Sequence, residues 1–186
     1  MARPKYDPGE PTARDRLVEA YWEMLAEGTF DKVSARAVVR RAGINHNTFY
    51  RYFGGIEDMA RKLFDEVVSA DLPVMLLGAG DVEGAQAAID LEDMRKAMLY
   101  ARSDSSLLQG ILRDAIANAW LSAAGVSPSD LTPAERTDCD IIFGGIVAAM
   151  GSSDMTPNPK MFKEVLSRPL GQGMIRTLEQ IANASR

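Results

Sequence analysis

Two short helix-forming segments joined by the tripeptide Ala42-Gly43-Ile44 constrain this chain more than any other feature of its sequence. Ser34 is placed to cap a helix over 35–41 that turns Val38 inward and carries Arg36, Arg40 and Arg41 at its edges. The tripeptide then breaks it, because Gly43 suits a turn position with positive φ and small Ala42 lets two helices approach closely. Asn45 can cap a third helix of barely two turns over 46–52, anchored by Ile44 and Phe49. Upstream, Thr12-Ala13-Arg14-Asp15 is a capping box with Asp in place of Glu. Leu17, Tyr21, Met24 and Leu25 follow at helical spacing, which predicts a first helix over about 13–27 that stops at Gly28. A bracing helix followed by two short helices across a tight turn reads as a helix-turn-helix, whose second short helix enters the DNA major groove by its N-terminal end.

Charge agrees with that reading. The net charge of -5 is unevenly spread: residues 1–62 carry 11 Lys/Arg against 9 Asp/Glu, and residues 63–186 carry 10 against 17. Lys32, Arg36, Arg40, Arg41 and Arg51 lie in a stretch, 32–52, that holds no acid. A local positive field attracts phosphate even on a molecule that is negative overall, although a bare run of bases also serves as a solvated helix face. Aromatics cluster here too: Tyr21, Trp22, Phe30, Phe49, Tyr50, Tyr52 and Phe53 are seven of the chain's thirteen. Large rings fill the small interior of a short module efficiently, and Trp22, Phe49 and Phe53 are expected in its core. The residues expected on the surface of the third helix are His46, Asn47, Thr48, Tyr50 and Arg51. Asn pairs bidentately with adenine, His donates to a purine acceptor, and Thr does either or touches a thymine methyl. The hydroxyls of Thr48 and Tyr50 and the Arg51 guanidinium suit phosphate oxygens. Taken alone, His46 reads as an ordinary surface or core histidine, and Tyr50 as a packing residue.

The segment Arg36–Phe53, RAVVRRAGINHNTFYRYF, resembles the helix-turn-helix signature of the TetR family of bacterial transcriptional regulators. The likeness extends from about Thr12 to Met59, over a quarter of the chain. It implies that His46 and Asn47 read bases, that Ser34, Thr48 and Tyr50 hold phosphates, and that Arg36 reaches a base or a phosphate. Asn45 and Arg51 complete the expected DNA-binding set. Two positions depart from the family pattern. Asn47 stands where Gly or Pro is frequent, adding a side chain able to read a base. Ile56 stands where a phosphate-holding Lys is usual, which lowers the expected affinity and salt dependence. Arg3 and Lys5 on the N-terminal arm are placed to compensate.

From residue 56 onward the pattern is helical, so the expected fold is all-α: a helix-turn-helix domain over 1–55 and a helical ligand-binding and dimerisation domain over 56–186. A helix from Ile56 to about Ala70 leads to an apolar connector over 71–80. Asp81 can cap a helix reaching Arg102, with Leu91, Met94, Met98 and Leu99 inward. One helix or two follow over Leu107–Ala123. Thr132-Pro133-Ala134-Glu135 is a complete start signal for a helix to about Met150. Asn158-Pro159 starts a last helix to about Ala182, with Pro169 kinking or breaking it.

The family resemblance implies a homodimer through the last two long helices. Ile141, Ile142, Gly144, Gly145, Ile146, Ala148 and Ala149 offer one side and Leu166, Leu170, Met174, Leu178 and Ile181 the other, unless these residues form intramolecular core. One short recognition helix reads few base pairs, which independently favours a two-fold dimer. The resemblance also implies a cavity for an unidentified small-molecule effector. Its candidate lining is Met94, Met98, Arg102, Trp120, Asp140 and Phe143, each of which equally suits core or surface. The function read from these features is a sequence-specific, DNA-binding transcriptional repressor released from a palindromic double-stranded operator by its effector. The alternative is an architectural or ligand-unresponsive DNA binder. Catalysis is not expected, since the single His46 lies on the reading helix and the single Cys139 has no His to activate it. Neither cofactor nor metal is implied. A membrane span and a secretory signal are not expected either, and lone Cys139 fits a cytoplasmic, reducing setting.

Overall fold

The computed structural model describes residues 11–28, 30–66, 91–152, 164–165 and 167–184. Every regular element among them is helical: α1 (Ala13–Glu27), a 3₁₀ turn (Phe30–Lys32), α2 (Ala35–Ala42), α3 (His46–Tyr52), α4 (Ile56–Asp65), α5 (Leu91–Arg102), α6 (Ser106–Ala124), α7 (Pro133–Gly151) and α8 (Pro169–Ala184). The chain forms two compact units, Met1–Leu63 and Phe64–Arg186, so that the boundary falls within the last turn of α4.

In the N-terminal unit, helix boundaries follow local hydrogen bonding. Thr12 and Asp15 form a reciprocal capping box, with the Asp15 amide donating to Thr12 Oγ1 at 3.2 Å and the Thr12 amide donating to Asp15 Oδ2 at 2.9 Å. The Thr12 hydroxyl, donating to the same carboxylate oxygen at 2.7 Å, and the Thr12 amide hold Asp15 below its usual pKa. The Ala37 amide donates to the Ser34 hydroxyl at 3.2 Å at the start of α2. α2 ends on Gly43, whose φ of 63° is left-handed, and the Ile44 amide reaches back to the Val39 carbonyl at 3.1 Å. That bond closes a Schellman motif, and it sets the direction in which the chain re-emerges as α3. α1 packs on both α2 and α3. Leu17, Tyr21, Val38 and Phe49 are fully buried and Phe53 is 2% exposed, as small modules require of their rings. Trp22, expected in the core, is half-buried and stands edge-on to Tyr21 at 5.2 Å. It follows Tyr21 by one residue, which turns it off the buried stripe of the helix.

In the second unit α5, α6 and α7 pack pairwise and α8 lies on α7. Thr132 and Glu135 form a second capping box, with Pro133 in the first turn. α6 runs unbroken and ends in another Schellman motif at Gly125, φ 70°, with the Val126 amide on the Leu121 carbonyl at 2.9 Å. Pro169 opens α8 rather than kinking a helix interior, since its missing N–H costs nothing at a first turn. Trp120, Leu121, Cys139, Ile142, Phe143, Leu178 and Ile181 form the core between α6, α7 and α8. Leu91, read as inward, is 47% exposed at the start of α5, whereas Met98 is buried and Met94 and Leu99 are half-buried. The helix starts proposed at Asp81 and Asn158, the 71–80 connector, Leu166 and the N-terminal arm lie outside the described residues.

Besides Gly125, two further glycines are required by this architecture. Gly43 needs its positive φ, and at Gly151 an added Cβ would lie 2.7 Å from the Ala101 carbonyl oxygen, where α7 meets the end of α5. Gly43→Ala is expected to lower unfolding stability by about 1–2 kcal/mol, and Gly151→Ala by about 1–3 kcal/mol through overpacking. Gly28→Ala serves as the control: φ there is extended, nothing lies within 4 Å of an added Cβ, and the expected change is within about 0.5 kcal/mol. Urea unfolding of the three variants checks the ranking.

Candidate nucleic-acid interface

α3 has seven residues, too few to hold helical structure by itself in water, so its environment must hold it. Its N-terminus is capped by Asn45, whose Oδ1 accepts the Asn47 amide at 2.8 Å. Its inner side is the fully buried Phe49, packed on Phe53 with ring centroids 5.5 Å apart. The opposite side is exposed: His46, Asn47, Tyr50 and Arg51 face solvent and Thr48 is half-buried. The His46 and Tyr50 rings, one turn apart, meet edge to face at 4.9 Å. Tyr50 also touches the Phe49 ring at 5.3 Å, yet it stays 52% exposed. Tyr50 therefore packs and presents its hydroxyl at once, and it steadies His46 at the helix start.

The expected DNA-binding residues fall into two groups by what their atoms already do. Asn47, Arg36 and Arg51 are exposed, and no ion pair joins either arginine to another described residue. The same holds of Lys32 and Arg40, and Arg36 and Arg40 share one face of α2 at i, i+4 spacing. Ser34 and Asn45 are committed as caps through their acceptor oxygens, which leaves the Ser34 hydroxyl proton and the Asn45 amide nitrogen as donors. Such donors suit phosphate oxygens, and neither cap offers the base edge a free bidentate pair.

Arg41 differs from its neighbours. Its Nη2 lies 2.6 Å from Glu27 Oε2 and its Nη1 lies 3.8 Å from Glu23 Oε2, an attachment of α2 to α1 that raises its pKa. The basic stretch thus contains one structural cation and four solvent-facing ones. The available sequence signal was the acid pair Glu23 and Glu27, four residues apart on the bracing helix.

The residues proposed to line an effector cavity are dispersed within the second unit. Trp120 and Phe143 are each 2% exposed, with rings 6.1 Å apart in the same core, and Met98 is buried. Met94 is half-buried. Arg102 and Asp140, considered as polar anchors for a ligand, are exposed: Arg102 ends α5, and Asp140 lies on the outer side of α7 beside Ile141. The buried polar atom without a hydrogen-bond partner among the described residues is Trp120 Nε1. Burial pushes the Cys139 thiol upward, aided by Asp138 and Asp140, so it is a neutral packing group at pH 7. Among the described residues no three His, Cys, Asp or Glu side chains gather to hold a metal, and no helix is long and apolar enough to cross a membrane.

Comparison with known proteins adds to this geometry. An uncharacterized HTH-type transcriptional regulator of Haemophilus influenzae is 35% identical over 57 residues, 31% of this chain and 28% of the relative. The aligned stretch therefore spans under a third of either protein. A solved structure of the fatty acid degradation regulator FadR from Bacillus halodurans aligns with a TM-score of 0.44 and 15% identity, covering 95% of this chain and 98% of the other. Residues 17–63 match the family described as bacterial regulatory proteins, tetR family, a span that takes in most of α1, the 3₁₀ turn, α2, α3 and most of α4. The N-terminal unit of this chain is therefore similar to the helix-turn-helix domain of the tetR family of bacterial regulatory proteins.

Proposed function

We propose that this protein is a cytoplasmic, non-enzymatic repressor that binds a palindromic operator as a homodimer and leaves it when a small apolar molecule enters the second unit. The observation that carries the DNA step is the exposed start of α3, with Asn47 uncommitted and His46 steadied by Tyr50, next to cations that have no ion pair among the described residues. Asn47 supplies base reading, Lys32, Arg36, Arg40 and Arg51 supply phosphate attraction, and the caps Ser34 and Asn45 supply short donors.

Dimerisation is supported by apolar surface on the helices of the second unit. Ile141 on α7 is 67% exposed and Leu170 on α8 is 77% exposed, and Gly145, Ala148 and Ala149 continue the outer face of α7. Small residues along a helix allow a second helix to approach closely, and a second copy would cover the large ones. The effector step is supported by Trp120 Nε1. A buried N–H without an acceptor costs about 1–3 kcal/mol, and a ligand oxygen in that apolar core would satisfy it. The absence of a buried charged side chain among the described residues favours a neutral ligand with one acceptor group over an ionic one. The route to DNA runs through α4. Its Phe64 packs on Tyr100 of α5 at 4.6 Å within the second unit, and its earlier turns belong to the first.

Four outcomes test this reading. On the best duplex recovered from a random pool, Asn47→Ala is expected to lose about 1–3 kcal/mol of discrimination at one base pair. Arg40→Ala is expected to lower the salt-dependence slope by about 0.9, whereas Arg41→Ala leaves the slope unchanged. An Asn47→Ala protein with unaltered sequence preference contradicts the assignment. Ile141→Glu is expected to convert dimer to monomer in sedimentation, and an unchanged mass rejects that face. In a Trp22→Phe variant, where Trp120 is the remaining indole, compounds that release DNA are expected to shift its emission. Release without a shift moves the effector site elsewhere.

A further inference from the structure

The turn between α3 and α4 is Phe53-Gly54-Gly55, and neither glycine has a positive φ. Two glycines without a conformational need for glycine leave this connection with more backbone freedom than an ordinary turn. Yet α3 ends here, and a seven-residue helix depends on both its ends. Its last carbonyl, that of Tyr52, has no acceptor role inside the helix.

The second turn of α4 supplies what is missing. Lys62 Nζ donates to the Tyr52 carbonyl oxygen at 3.2 Å and lies 2.9 Å from Asp58 Oδ2. The same Asp58 oxygen accepts the Gly54 amide at 2.7 Å. One ammonium and one carboxylate thus grip the chain on both sides of Phe53, whose own amide closes the last bond of α3 on the Phe49 carbonyl at 3.0 Å. The Lys62 and Gly54 hydrogen bonds hold Asp58 below its usual pKa. The Asp58 carboxylate is therefore ionised at neutral pH, and its side of the clasp is lost as pH falls through the lowered value. A positive charge at a helix C-terminus also complements the helix dipole.

We infer that Lys62 and Asp58 form a clasp that makes α3 follow α4 across the flexible Gly54-Gly55 turn, so that Lys62 positions the DNA-reading helix without touching DNA. Lys62 is a positioning residue. Its nitrogen is directed to the end of α3 and to a carboxylate, unlike Arg36 and Arg40 of α2, which have no such partners among the described residues. The inference rests on the proposed DNA reading in its consequence for binding, but the clasp itself is measurable without DNA.

The test compares Lys62→Met and Lys62→Arg with wild type in the full chain, using two readouts. In the free protein, amide exchange at Phe53 and Gly54 is expected to quicken in Lys62→Met and to stay near wild type in Lys62→Arg. On the duplex that wild type selects from a random pool, Lys62→Met is expected to bind about two- to five-fold more weakly with an unchanged salt slope. A slope lowered by about one would make Lys62 a phosphate ligand and overturn the inference. Unchanged exchange at both amides would show that no clasp holds α3. Faster exchange with unaltered affinity would show that the clasp does not serve DNA reading. If wild type selects no duplex, the DNA reading fails, and the exchange result still decides whether the clasp exists.

Discussion

α3 cannot stand alone, and the rest of the N-terminal unit is arranged around that fact. A seven-residue helix has almost as many unsatisfied backbone groups as satisfied ones, so each end and its buried side need outside partners. Asn45 closes the start, Phe49 ties the middle to the buried core, and Lys62 reaches the last carbonyl. The left-handed Gly43 fixes the angle at which α3 leaves α2. What remains exposed after those demands is a short strip, His46, Asn47, Tyr50 and Arg51, held in place with little freedom to rearrange. Preorganisation of this kind lowers the ordering cost of binding.

Charge is divided in the same economical way. Arg41 is used inside the protein, bound to Glu27 and Glu23, and Lys62 is bound to Asp58. These exposed pairs contribute little to stability, as surface ion pairs generally do, but they fix which cations point outward. Lys32, Arg36, Arg40 and Arg51 have no ion pair among the described residues and give a local positive field on a chain whose net charge is -5. Steering by such a surface depends on local placement and falls with salt.

Sequence reading recovered the elements whose cause is local. The starts at Thr12, Ser34, Asn45 and Thr132 and the stop at Gly43 depend on hydrogen bonds between residues within a few positions of each other, and all were legible. Partnerships across the chain were not. Arg41 with Glu27 and Lys62 with the Tyr52 carbonyl join residues that only folding brings together, so in the sequence Arg41 was one more base of the basic stretch. Burial in the second unit was equally hard to read. α7 is apolar or small around much of its circumference, which gives no clear inward stripe, and neighbouring Ile141 and Ile142 end on opposite sides, one 67% exposed and the other buried. Arg102 and Asp140 were considered as ligand anchors on residue type, and both lie at the surface.

Selection of duplexes from a random library by the purified full-length protein, at near-physiological salt, tests the central claim most directly. The account predicts recovery of a two-fold palindrome, its half-sites about one helical turn apart, with a base preference that shifts when Asn47 is replaced. Recovery of sequence-blind DNA, lost on modest addition of salt, would contradict it, because the exposed start of α3 would then contribute charge without reading bases.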